Sequence, residues 1–285
     1  MHRFLLLLPI IFAAAGAQDQ APRRNPAVFL SQANWVRQLA AIKPAKIIID
    51  PRQTESPLFV YEDPDPQSPT HGIKFCWLRL PKSSTALAVT DVSRSGVSNE
   101  IYESVTTSSD AVVMNGGFYG FGNKNDFVPV GLVIASGRRT SEFKNWSLGG
   151  LVLQIHGAPT VVPVSQFRSL SGIEQAIQSK PMLIEDSKIG IKSDPHPPFN
   201  RSAVAVDWNG DVIVAGAFAE NGEAVTLIEF SQFLAIPRSK GGPEAAYALN
   251  LDGGPDAHMY FPKAKLHLGY GGQNYVPNAI HFSGK

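Results

Sequence analysis

Cysteine is nearly absent: Cys76 is the single one in 285 residues, so neither an internal disulfide nor a thiolate zinc cluster can form. Charged residues are only 17% of the chain and balance to a formal net charge of +1, which excludes a global field aimed at nucleic acid or an anionic membrane. Beyond the N-terminus no apolar run is long enough to cross roughly 30 Å of hydrocarbon as a helix. Several enzyme signatures are missing too. There is no Gly-x-Ser-x-Gly elbow, no His-Glu-x-x-His pair and no Gly-x-x-x-x-Gly-Lys-Ser/Thr loop, so serine-hydrolase, zinc-protease and nucleotide chemistry have no local support. The histidines, at 2, 71, 156, 196, 258, 267 and 281, show no metal-ligand spacing. No dedicated metal site and no cofactor are expected.

What the chain does have is apolar residues and turn formers. Hydrophobic residues reach 44%, enough for a sizeable core, and 25 Gly with 22 Pro favour many short strands over a helical bundle. His2 and Arg3 precede an apolar run at 4–15, and Ala15-Gly16-Ala17 follows as a small-x-small cleavage site. That run is too short to span a bilayer, so residues 1–17 read as a cleaved secretory signal, and the mature chain is expected to be secreted or periplasmic without stable membrane insertion. Residues 18–70 read as an N-terminal helix at 31–42 followed by a Pro-rich linker, with Asp63-Pro64-Asp65-Pro66 at its centre.

The main domain is placed at 71–285. Strands are expected at 73–80, 86–91, 111–114, 130–135, 151–155, 160–163, 203–207, 211–216 and 247–251, and helices at 98–107, 171–179 and 226–234. Asn209-Gly210 predicts a hairpin turn between two of these strands. The Asp207, Asn209, Asp211 spacing only mimics the start of a calcium loop, since Gly210 is misplaced for that motif. The fold class is α+β: a single domain with a mixed, largely antiparallel sheet packed with a few helices. Cys76, inside the apolar run at 73–78, reads as a packed thiol.

Three segments do not read as ordinary core. An apolar strand ends in Asn115-Gly116-Gly117, where paired glycines allow positive φ and close approach of a ligand, and an Asn amide can both donate to and accept from a sugar hydroxyl. Arg201 stands at the entrance of the strand at 203–207, placed to bind a phosphate or carboxylate with its fork. Asn250-Leu251-Asp252-Gly253-Gly254 runs an apolar strand into a carboxylate, which is costly there unless it is paired or employed. The bland readings are a tight turn, a surface charge and a strand-ending cap.

Taken in order, Asn115-Gly116-Gly117-Phe118, Pro181-Met182-Leu183-Ile184, Arg201-Ser202-Ala203-Val204 and Asn250-Leu251-Asp252-Gly253-Gly254 resemble the phosphodiester glycosidase domain family, over residues 70–282. The resemblance implies an α+β fold and hydrolysis of a sugar-1-phosphodiester. By motif match it implies a catalytic set of Asp252, Arg201 and Asn115, with substrate held by Gly116, Gly117, Asn250, Gly253 and Gly254. In the roles so implied, Arg201 holds the phosphodiester and Asp252 is nucleophile or base; Asp256 and His258 are added as neighbouring substrate or acid–base groups. The chain departs from the family after the glycines, where Pro255-Asp256-Ala257 stands in place of a further glycine or proline and then serine. The extra carboxylate leaves open a divalent cation between Asp252 and Asp256, or a site retained only for binding a polysaccharide. A glycan or sugar-phosphate is the expected partner, and nucleic acid is not.

Overall fold

The computed structural model describes residues 42–49, 56–68, 70–91, 101–122, 127–194, 196–269 and 276–284. The expected signal at 1–17, and all but the end of the helix expected over 31–42, lie outside the described residues. Among the described residues no helix is long and apolar enough to cross a membrane.

Three antiparallel sheets dominate. The first has eight strands in the order Ala45–Ile47, Leu58–Glu62, Ile73–Leu80, Val212–Ala219, Arg201–Val206, Tyr247–Asn250, Met182–Glu185 and Lys188–Ile189. The second orders Leu266–Gly269, His258–Phe261, Asp110–Asn115, Asn278–Gly284 and Thr85–Asp91. The third orders Thr160–Pro163, Gly150–Gln154, Gln175–Ser179, Val133–Ala135 and Arg138–Ser141. A two-stranded ribbon, Tyr119–Phe121 with Phe127–Pro129, leaves the end of the strand Asp110–Asn115.

Period-two alternation explains how the sheets stack. In Ile73–Leu80, Cys76, Leu78 and Leu80 face one way and meet Val112, Met114, Met259 and Ile280 of the second sheet and Val152 and Ile177 of the third. The alternate residues Phe75 and Trp77 face the other way, onto Phe230 and Phe233 of the helix Leu227–Leu234. With both faces covered, the central strands read as nearly continuous apolar runs. Cys76 is fully buried, its thiol pushed up to about 12 by burial, and its Sγ lies 3.9 Å from the Met259 sulfur. It is a packing group.

The helix Leu227–Leu234 starts at a capping box: the Thr226 hydroxyl accepts from the Glu229 N–H and the Glu229 carboxylate accepts from the Thr226 N–H. The turn at Asp207–Asp211 is a hairpin, as expected. The Asp207 carboxylate accepts from the N–H groups of Asn209 and Asp211 and pairs with Arg79 and Arg238.

Two expectations fail. Residues 171–179 form no helix; Gln175–Ser179 is the central strand of the third sheet. Local propensity favoured Ala and Gln in a helix, but in the sheet Gln175 accepts from the Val89 N–H and Gln178 from the Leu132 and Lys144 N–H groups, so tertiary bonding wins. The stretch read as linker contains the strand Leu58–Glu62, paired with Ile73–Leu80, with Leu58 and Tyr61 in the core. Its flanking prolines and aspartates hid a short apolar run.

Candidate active site

The strands Asp110–Asn115, Arg201–Val206 and Tyr247–Asn250 bring their polar ends together where the first and second sheets meet. Residues 251–257 cross from one sheet to the other, and Asn115 stitches that crossing. Its Oδ1 accepts from the Ser202 hydroxyl at 2.8 Å and from the His258 N–H at 3.1 Å. Its Nδ2 donates to the carbonyls of Asp252 at 2.9 Å and Gly116 at 3.3 Å. The side chain is fully buried. Where the sequence suggested an amide offered to a sugar, the structure commits both ends of that amide to the backbone and side chains that place Asp252. Asn115→Ala is therefore expected to destabilise the fold by about 3 kcal/mol or more, since the Ser202 hydroxyl and the His258 N–H lose their acceptor inside the protein. Thermal denaturation measures it.

The glycines serve the same scaffold. Gly116 donates its N–H to the Asn278 carbonyl, and Gly117 to the Asn278 Oδ1 at 2.9 Å. Neither needs a left-handed backbone, contrary to expectation. A Cβ on Gly116 would lie 1.7 Å from the Asn278 Oδ1, so close packing demands the glycine. Gly254 does need conformational freedom, at φ +63, and donates to the Asn200 carbonyl. Gly253 donates to the Asp252 Oδ1 at 2.9 Å. These four N–H groups are thus spent inside the protein.

What remains to meet a ligand is charge. Arg201, at the start of its strand, lies against Gly253: a Cβ there would be 3.2 Å from the Arg201 Nη1. The guanidinium is mostly buried, sits 5.4 Å from the Phe199 ring centre, and donates through Nε to the Val225 carbonyl. Burial lowers its affinity for the proton, while the charges of Asp194 and Asp252 raise it. Asp252 is partly exposed, and its carboxyl is pushed up to about 7. Burial is the main cause and the Asp256 charge adds to it; the Gly253 N–H and Arg201 oppose it.

Asp256 is buried, and close enough to Asp252 for its charge to be felt there. Its Oδ2 accepts from the Tyr119 hydroxyl at 3.0 Å, and its Oδ1 is enclosed without a hydrogen-bond partner. Burial pushes this carboxyl up to about 6, against the pull of the Tyr119 hydroxyl. The Tyr102 phenol is raised well above its ordinary value, first by burial and then by the charges of Asp256 and Asp252. His258 is buried beneath Tyr102, with ring centres 4.5 Å apart. Asn250 donates through Nδ2 to the carbonyls of Leu251 and Lys180, and its Oδ1 is buried without a partner. No group of three or more ligating side chains gathers around Asp252 and Asp256 among the described residues.

The structure thus brings Arg201, Asp252, Asp256 and His258 to one place and leaves Asn115, Gly116 and Gly117 behind them as support. Sequence reasoning passed over Ser202, Asn278, Tyr119 and Tyr102. Tyr119 directly follows Asn115-Gly116-Gly117-Phe118, but its pairing with Asp256 spans 137 positions and has no local signature.

Solved structures share this fold. The catalytic domain of zebrafish N-acetylglucosamine-1-phosphodiester alpha-N-acetylglucosaminidase, auto-inhibited by its pro-peptide, is 14% identical over 89% of this chain and 94% of that one, with a TM-score of 0.61. A hypothetical protein from Synechocystis is 15% identical over 86% of this chain and 64% of that one, with a TM-score of 0.54. No curated protein matches by sequence. The family model for phosphodiester glycosidase matches residues 108–283, more than half of the sequence, with the strands that carry Asn115 and Arg201 and the crossing that carries Asp252. The chain belongs to the phosphodiester glycosidase family.

Proposed function

We propose that this chain is an exported hydrolase of a sugar-1-phosphodiester. The observation that carries the reading is the convergence of a guanidinium and a carboxylate at the ends of two paired strands, Arg201 opening Arg201–Val206 and Asp252 following Tyr247–Asn250: Arg201 lies against Gly253, and each of Arg201 and Asp252 alters the other's proton affinity. A phosphate monoester leaves an anomeric carbon readily, so the site mainly has to hold charge. Arg201 grips the phosphodiester and stabilises the phosphate as it departs. Asp252 attacks the anomeric carbon, or takes the proton from the water that does. Asn115 holds the Asp252 backbone in place. Asp256, enclosed and anchored by Tyr119, adds its charge to the burial that raises the Asp252 carboxyl.

Incubation with a panel of sugar-1-phosphodiesters tests the reading directly. Release of a phosphate monoester, followed by phosphorus NMR, supports it. Saturable binding with no monoester released from any member favours the rival, a protein that retains the cleft only to recognise a glycan; the buried Asp256 beside Asp252 is what keeps that rival in view.

Asp252 must be ionised to act, so kcat/KM is expected to rise with pH through about 7. Removing the neighbouring negative charge favours ionisation. Asp256→Asn is accordingly expected to shift that limb to lower pH, while burial keeps it above the usual carboxylate range. A pH–rate profile of the two proteins checks the direction.

A further inference from the structure

The ribbon Tyr119–Phe121 with Phe127–Pro129 continues from the strand that carries Asn115, and the proposed reaction uses only its first ring. Its base is fixed. The Asn278 Oδ1 holds the Gly117 N–H, and the Phe118 carbonyl accepts from the Val130 N–H at 2.7 Å. Tyr119 pairs with Pro129 and Phe121 with Phe127. Side chains two apart on a strand, and those directly opposite across a pair, share a face. Tyr119, Phe121, Phe127 and Pro129 therefore lie on one face of the ribbon, with Gly120 and Val128 on the other.

The Tyr119 hydroxyl shows which way that face is turned, since it donates to the Asp256 Oδ2 at 3.0 Å. From there the rings run outward in contact. Tyr119 meets Phe127 edge-on at 5.2 Å between centres, and Phe127 meets Phe121 at 4.9 Å. Exposure rises along the row: Tyr119 and Phe127 are half-buried, while Phe121 is 79% exposed, the most exposed large apolar side chain among the described residues. A lone exposed apolar side chain is ordinary; a row of three rings that begins on a site carboxylate is not.

The chemistry of the face limits what it can take. Of its four side chains only Tyr119 has a hydrogen-bonding group, and that hydroxyl is given to Asp256. A sugar brings hydroxyls that want partners, which these side chains do not supply. A hydrocarbon wants none and gains by leaving water. A sugar-1-phosphodiester has two ends, the sugar and the alcohol esterified to the far side of the phosphate. We propose that Phe121, Phe127 and Pro129 form the subsite for that alcohol, and that the alcohol is a hydrocarbon chain. The inference rests on the hydrolysis proposed above: Arg201 and Asp252 serve the phosphate and the anomeric carbon, and the ribbon takes the part of the substrate that neither serves.

Two readouts test it. The first needs no turnover: octyl phosphate and methyl phosphate, monoesters of the kind that hydrolysis releases, are titrated against the protein by calorimetry. The parent is expected to bind octyl phosphate about tenfold tighter than methyl phosphate. Phe121→Ser, at an exposed position where folding is spared, is expected to lose most of that preference, and Phe121→Leu to keep it. The second readout uses the methyl and octyl diesters of one sugar-1-phosphate below their micelle concentration, where the same ratio is expected in kcat/KM. No octyl preference in the parent, or one that Phe121→Ser leaves intact, would overturn the assignment. So would a Phe121-dependent preference for a disaccharide-1-phosphate over a monosaccharide-1-phosphate, which gives the face to a glycan. A Phe121-dependent dimer in sedimentation, without octyl preference, would overturn it too and give the face to a second copy of the chain. Octyl preference in binding with no turnover of either diester would count against the hydrolysis alone.

Discussion

Asp252→Asn is expected to lower kcat/KM on a sugar-1-phosphodiester by about a thousandfold or more, and at the same time to make the protein more stable at pH 8. The two effects have one cause. The Asp252 carboxyl is pushed up to about 7 from an ordinary value of 3.8, chiefly because the fold buries it beside Asp256. A group whose proton affinity is raised on folding favours the folded state at low pH. That contribution is complete below pH 3.8 and is lost as pH rises through 7. Above 7 the folded protein carries an ionised carboxylate it holds poorly. An amide of the same shape removes that burden and still accepts from the Gly253 N–H. With allowance for the partial exposure of Asp252, the gain at pH 8 is about 2–3 kcal/mol, or roughly 5–10 °C in Tm. At pH 4 the gain should nearly vanish. Melting curves at the two pH values, beside the rate measurement, separate a working carboxylate from a strand-ending cap. A cap would lose stability on substitution at both.

Which parts of this were legible in the sequence depends on the range of the interactions involved. The strand Ile73–Leu80 announces itself because both of its faces are covered and nearly every residue is apolar. The helix Leu227–Leu234 announces itself through Thr226 and Glu229, a local device. Arg201 and Asp252 stand out because charge at the end of an apolar strand is costly and so invites a reason. The role of Asn115 could not be read in the same way. Its partners Ser202, Asp252 and His258 lie 87, 137 and 143 positions away, and an Asn before two glycines looks the same whether its amide faces a sugar or a backbone. Residues 171–179 illustrate the converse, a segment with helical residues whose glutamines are used to bond neighbouring strands. Tyr119 with Asp256, and His267 with Glu103, are pairings that only the tertiary fold makes.

Arg201→Gln is expected to cost about a hundred- to a thousandfold in kcat/KM on the phosphodiester, the scale of losing a preorganised donor at a developing charge. If the guanidinium acts on the phosphate, the loss should shrink to a few-fold on an aryl glycoside whose leaving group carries no phosphate. Arg201→Lys should fall between, because it keeps a positive charge but loses the planar fork. The same variant bears on Asp252. The guanidinium charge holds that carboxyl down against burial and Asp256, so its removal should move the rising limb of the pH–rate profile above 7. Asp256→Asn should move the limb the other way. Opposite displacements from removing two opposite charges that both act on one carboxylate require that the group titrating in the rate is Asp252 itself. A limb that stays put in both variants would assign the titration to another residue and remove Asp252 from the chemistry.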